Sequence, residues 1–321
     1  MNKGKWIWLL GAGVLALLFL MSSTDLIIEE KPVEIIPVSI LIRRDGDAYY
    51  ENFRKGMERA AEEFNADVNV ITLYDSNSRS QQLALLEREL KEGARALILE
   101  PADQESVELL EEIKPSSPVI LLDHEAAGEY VTDCVGEDGR KAGEMLGAAL
   151  AERVSPQVPV YLFSEGLSAG SNRLVYEGVC SVLEEKGYEL RLFERLSSES
   201  CREAIEENVY PGSGRVAVAA LDVLVLDELS AFLEGNEVYA PCIEGLYGVG
   251  FTNGILSRMG RQVIDGIVVS NQFDKGYLSV KRAVEAAEGD RFRSQAELEL
   301  FYLEQEDLTD PRYEKMLYPI G

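Results

Sequence analysis

The chain has 321 residues, 46% hydrophobic and 27% charged, which is too long for one ordinary domain and comfortable for two with sizeable cores. It carries 57 Asp+Glu against 31 Lys+Arg, a formal net charge of −26. Such a surface repels phosphate backbones and anionic membrane faces, so nucleic acid is set aside as a partner.

At the start of the chain, Lys3 and Lys5 precede a charge-free apolar run of sixteen residues, 6–21. The lysines favour a cytoplasmic N-terminus and place the downstream chain outside. No A-x-A site comes after the run, so an uncleaved transmembrane anchor over 1–24 is favoured over a cleaved signal segment. Residues 25–36, with Glu29, Glu30, Lys31 and Pro32, read as a polar tether.

From residue 37 the chain alternates strand and helix. Short apolar runs read as strands at 37–42, 68–74, 96–100 and 118–123, then 158–163, 188–196, 216–221, 246–251 and 264–270. Helical spacing appears at 47–65, 80–92, 104–114, 138–154, 172–186, 200–209, 227–233 and 275–288, and residues 296–303 close the series. Continuous apolar strands between helices imply parallel sheets buried on both faces. The units are too many for one open sheet. The expected fold is therefore α/β, with two doubly wound, Rossmann-like lobes joined by a multi-crossover hinge, behind an N-terminal membrane segment. The lobes are expected at 37–136 plus 272–302 and at 137–271 plus 303–321.

In such sheets ligands bind beyond the carboxyl ends of the strands. That rule selects loops 43–50, 75–79, 101–104, 123–125, 164–173, 221–222, 252–253 and 271–274. They are rich in Asp, Asn, Gln, Arg and Tyr, the groups a polyhydroxylated ligand needs. Within them Arg44, Asp47, Tyr49, Tyr50, Asp123, His124, Arg173, Asp222, Thr252, Asn271 and Gln272 are the candidate ligand-binding residues.

Other chemistry finds less support. Gly166-Leu167-Ser168-Ala169-Gly170 matches G-x-S-x-G between a strand and a helix, but the single histidine, His124, lies upstream of Ser168 instead of after it. A serine hydrolase using this loop is the rival reading. Residues 248–254 miss G-x-G-x-x-G by one position, and there is no Walker A or H-E-x-x-H. Cys134, Cys180, Cys201 and Cys242 form no CxxC and no zinc spacing; bridges and free buried thiols both stay open. No catalytic residue, metal or cofactor is implied.

The residues resemble the periplasmic sugar-binding proteins of the ribose-binding type, whose ligand-binding fold is shared with LacI-like regulators. The resemblance runs over about 37–308. It is carried by 47–56 (DAYYENFRKG), 74–78 with Gln81 and Gln82, 92–101 (EGARALILEP), 118–124 (PVILLDH), 138–147 (DGRKAGEMLG) and 166–178. It implies stacking by Tyr49 and Tyr50, although helix-start packing would also account for them. Asp47 stands where the family usually has Asn. The resemblance further implies hydroxyl recognition by Asp123, with His124 in place of the family's frequent Arg. Arg173 would reach in from the second lobe, or else pair with Glu177 one turn on. Asn271 or Gln272 would face the ligand at the hinge. Two clamping groups are absent: Leu221-Asp222 replaces an Asn-Asp pair, and Gly250-Phe251-Thr252 replaces Gly-Phe-Asp.

The resemblance implies a non-enzymatic, extracytoplasmic solute-binding protein that closes around a sugar or related polyol. The chain would cross between lobes near Gly136, Asn271 and Leu303. Its closed form would be read by an ABC permease or a sensor histidine kinase, the latter suiting a retained anchor. A LacI-type regulator is set aside, because an apolar segment occupies the place of its helix-turn-helix.

Overall fold

The computed structural model describes residues 3–23, 34–43, 50–74, 78–123, 128–168, 170–195, 200–212, 214–290, 292 and 296–319. Met1–Ile35 and Ile36–Gly321 form separate compact units.

The first unit carries helix α1 (Lys3–Ser23), whose apolar side chains, among them Trp6, Trp8, Leu15 and Phe19, are exposed. Among the described residues no helix is long and apolar enough to cross a membrane. The anchor expected over 1–24 is therefore not supported. The sixteen-residue apolar run rises about 24 Å as a helix, short of the roughly 30 Å hydrocarbon core. Most of the expected tether, residues 25–33, lies outside the described residues.

The second unit opens with β1 (Ile36–Ile42), α2 (Tyr50–Phe64), β2 (Ala66–Thr72), α3 (Arg79–Glu92) and β3 (Ala96–Leu99). Then come α4 (Leu109–Ile113), β4 (Val119–Leu122) and β5 (Asp133–Gly136). The chain continues through α5 (Gly139–Arg153), β6 (Val160–Ser164), α6 (Asn172–Glu185), β7 (Leu190–Glu194), α7 (Cys201–Asn208) and β8 (Val216–Ala220). After these come α8 (Val223–Leu233), β9 (Ile243–Val249), α9 (Asn253–Gly260) and β10 (Gly266–Ser270). It ends with α10 (Gln272–Ala287), β11 (Ala296–Glu297), β12 (Leu300–Leu303) and α11 (Pro311–Leu317).

Among the described residues there are two six-stranded sheets, ordered β11-β5-β4-β3-β1-β2 and β12-β10-β9-β8-β6-β7. The order is the same in both, and each reverses direction beside its first strand, at β1/β3 and at β6/β8. Every pairing is parallel except β12 against β10. The central strands β3, β4, β6, β8 and β10 are buried along their whole length, as sheets covered by helices on both faces require. Each sheet has an apolar core on either side. Leu41, Leu97 and Leu110 mark one side of the first sheet, and Ile40, Phe53 and Val280 the other. Leu146, Leu162 and Val179 mark one side of the second, and Phe163, Leu229 and Ile255 the other.

The structure departs from the expected elements at several places. The short β5, led by Asp133, and α9 lie where no element was expected. Helix α8 begins at Val223, four residues before the expected start at 227, because the Asp222 carboxylate accepts the Val225 N–H as its cap. The closing segment 296–303 is two strands in different sheets, so the last crossing between lobes lies between Glu297 and Leu300 and not at Leu303. All four cysteines are free and buried.

Candidate functional site

The two sheets point the carboxyl ends of their strands at the same gap. Arg43 follows β1, Glu100 follows β3, Asp123 follows β4 and Glu137 follows β5. From the other sheet come Glu165 after β6, Leu221 and Asp222 after β8, Gly250 after β9 and Ser270 at the end of β10. All of them line one cavity of about 110 Å³, together with Tyr50 and Gln272 at helix starts and Asn172 and Val175 of α6. A single water needs roughly 10–15 Å³ on this measure, so the space suits a small guest.

The first lobe supplies a charged wall. Glu100 Oε2 accepts the Tyr50 hydroxyl at 2.6 Å and the Arg43 backbone N–H at 2.8 Å. The Arg43 guanidinium reaches across to Glu165 Oε2 of the second lobe at 3.1 Å, with 10% and 7% of the two side chains exposed. Burial alone would lower the Arg43 pKa, but the Glu100 and Glu165 charges raise it, so it stays a cation.

The floor is built around Lys275 of α10. Its ammonium lies 2.7 Å from Asp123 Oδ1 and 2.9 Å from Glu137 Oε2, and only 2% of the side chain is exposed. Glu137 also accepts the Ser270 hydroxyl at 3.0 Å, and Gln272 Nε2 donates to Ser270 Oγ at 3.1 Å. Burial and the Glu137 charge push the Asp123 carboxyl up to about 7, against the pull of Lys275. Burial would raise Glu137 too, but Lys275 and the Ser270 hydroxyl together hold it below the ordinary carboxylate range. Asp123 has φ +49°, the left-handed region that Asp tolerates better than most residues. Gly136 stands against it, and a Cβ there would meet Asp123 Oδ1 at 2.8 Å. A hinge crossing and a site carboxylate are thereby held in close contact.

The second lobe supplies a mostly apolar wall: Val175, Leu221, Val223, Leu224, Val249, Val268, Val269 and Leu300. Its Asp222 is committed to structure. The carboxylate accepts the Glu165 N–H at 2.7 Å, the Val225 N–H at 3.0 Å and the Asn172 amide at 3.2 Å. Burial and the Glu165 charge still raise its pKa, despite the two backbone donors.

Of the expected site residues, Tyr50, Asp123, Asp222 and Gln272 are brought together around the cavity. Arg173, Thr252 and Asn271 are not. Arg173 is exposed and pairs with Glu177 at 3.3 Å. Thr252 caps α9 by accepting the Ile255 N–H, and Asn271 caps α10 by accepting the Phe273 and Asp274 N–H groups. Arg44, Asp47, Tyr49 and His124 lie outside the described residues. Ser168 of the G-x-S-x-G loop is exposed and does not line the cavity; Ala169 of that loop is outside the described residues. Sequence reasoning missed Arg43, Glu100, Glu137, Glu165, Asn172 and Lys275. A usable signal existed for two of them: Arg43 and Glu165 are each the first charged residue after a strand legible in the sequence.

The sequence matches the periplasmic binding protein domain over residues 38–291. The ribose import binding protein RbsB of Bacillus subtilis (strain 168) is 24% identical over 140 residues, 43% of this chain and 45% of that protein. The chain thus spans just under half the length of that curated relative. GanP, a glucose-galactose binding protein from Geobacillus stearothermophilus, superposes with a TM-score of 0.74 at 19% identity, over 86% of this chain and 99% of that one. A carbohydrate transporter solute binding protein from Agrobacterium radiobacter, in complex with D-arabinose, gives 0.78 at 16% identity, over 88% and 98%. At those identities the structures speak for the fold. Two like-ordered parallel sheets face one cavity across three crossings, and the domain match covers most of the sequence: this chain belongs to the periplasmic binding protein family.

Proposed function

We propose that the chain is an extracytoplasmic solute-binding protein that holds a small sugar or related polyol between its lobes and delivers it to a membrane permease. One observation carries the reading. A single cavity takes its lining from the carboxyl ends of strands in both sheets, so a guest touching both walls favours the closed form by its differential affinity. Tyr50, Asp123 and Gln272 are the residues proposed to meet the ligand, with Arg43 and Glu100. The similar proteins, a ribose import binding protein and a carbohydrate transporter solute binding protein in complex with D-arabinose, support a sugar and a transport partner. The family supports an extracytoplasmic location, and the apolar run behind Lys3 and Lys5 suits an export segment. A sensor kinase partner rested on a retained anchor, and that support is gone.

The test is a thermal-shift screen of the purified chain against pentoses, hexoses and polyols. A ligand at a hundred times its Kd stabilises the folded state by about 2.7 kcal/mol, so one class should raise Tm clearly. A flat response across every sugar and polyol would end the reading.

A further inference from the structure

The two walls of the cavity differ in kind. The first lobe and the hinge contribute Arg43, Tyr50, Glu100, Asp123 and Glu137. The second lobe contributes Leu221, Val223, Leu224, Val175 and the valines at the ends of β9 and β10. Most of the polar groups that line that side are tied up within the protein: Glu165 pairs with Arg43 at 3.1 Å and Ser270 donates to Glu137 at 3.0 Å, which leaves the Ser171 hydroxyl at the edge. Asp222 accepts three N–H donors. The Asn172 amide donates to Ser164 Oγ, the Gly166 carbonyl and Asp222, all within 3.2 Å. Thr252 is spent on its cap and on Asp227. Leu221, 1% exposed, lines the cavity and offers a guest hydrocarbon alone from its side chain.

A hydroxyl pressed on such a wall exchanges water for no partner, whereas a methyl or methylene there leaves water at no loss. Resting on the sugar-binding reading, we propose that the ligand is a deoxygenated sugar, with its hydroxyl-bearing edge toward the first lobe and a deoxy or methyl-bearing face toward Leu221 and Leu224. This names the ligand class of the same site. Apolar pockets discriminate by a methyl group roughly 10–200-fold, which sets the scale expected.

The test is isothermal titration of the full chain, in a detergent without a sugar headgroup, against matched pairs. The pairs are D-galactose with 6-deoxy-D-galactose, D-glucose with 6-deoxy-D-glucose, and D-ribose with 2-deoxy-D-ribose. In at least one pair the deoxy sugar should bind about tenfold tighter or more. Leu221→Asn should narrow or reverse that preference. Because Leu221 is buried, half-buried Leu224→Gln provides the same arm at lower risk to folding. Binding that favours the oxygenated member of every pair overturns the proposal and leaves sugar binding standing. A deoxy preference that survives both folded variants also overturns it. Binding of neither member of any pair overturns the proposal, and a flat thermal-shift screen beside it overturns sugar binding as well.

Discussion

Lys275 organises the floor of the cavity while almost wholly buried. Replacing one partner of such a cluster strands the others: Lys275→Met would leave Asp123 and Glu137 facing each other without a cation. Urea denaturation should show a loss of about 3–5 kcal/mol; a loss under about 1 kcal/mol would mean that the ammonium does not hold the pair. Asp123 adds a pH signature. In the unfolded chain it titrates near the usual ~3.9, and in the fold near about 7. Between these values the folded form keeps a proton that the unfolded form has lost. Its contribution is therefore complete below about pH 4 and drains away as pH rises toward 7. Against Asp123→Asn, wild-type stability should fall from pH 5 to pH 7.5, and a constant difference would contradict the assignment. At this scale the sequence was partly legible. Asp123 and Gln272 were selected because each sits beside a strand end, and both line the cavity. Thr252 and Asn271 were chosen for the same reason, but small polar residues at strand ends are also the preferred helix caps, and capping is their role here. Arg173 lost to its neighbour Asn172 because one residue turns a helix by about 100°.

The paired helices repeat one device in both lobes. Helices α2 and α10 cross with Gly56 against the Phe273 carbonyl and Gly276 against the Phe53 carbonyl. Helices α5 and α6 cross with Gly143 against the Val175 carbonyl and Gly178 against the Arg140 carbonyl. A Cβ at any of these positions would fall inside the opposing backbone. Gly276→Ala should therefore destabilise by about 1–3 kcal/mol or more, despite the better helix propensity of Ala, and it should pull Lys275 out of register. An unchanged urea midpoint would show that the helices can part freely. Long amphipathic helices and four-residue apolar strands were legible from their periods. The short β5 was not, because Asp133 and Cys134 give it no apolar run. Helix α9 was hidden by Thr252, Asn253 and Gly254, which read as a turn until Thr252 acts as a cap.

At the scale of the molecule, the lobes are tied across the gap by Arg43–Glu165 and by Asn253 Nδ2 donating to Glu51 Oε2 at 3.0 Å. From the far end, Asn52 Nδ2 donates to the Leu317 carbonyl at 3.3 Å. Two doubly wound lobes were legible from the repeated strand–helix alternation, because burial on both faces forces continuous apolar strands; their common strand order was not. The third crossing was misplaced by a few residues because β11 and β12 are separated by only Leu298 and Glu299. The asymmetry of the walls was foreshadowed by Leu221 and Thr252. It became visible only when the strands converged on one cavity. The central claim is that both lobes grip one small guest. Isothermal titration of a sugar that raises Tm, with wild type beside Tyr50→Ala in the first lobe and Leu221→Ala in the second, tests it most directly. The account predicts saturable one-to-one binding, weakened roughly tenfold or more by each substitution. Wild-type affinity in either folded variant would contradict a site shared between the lobes.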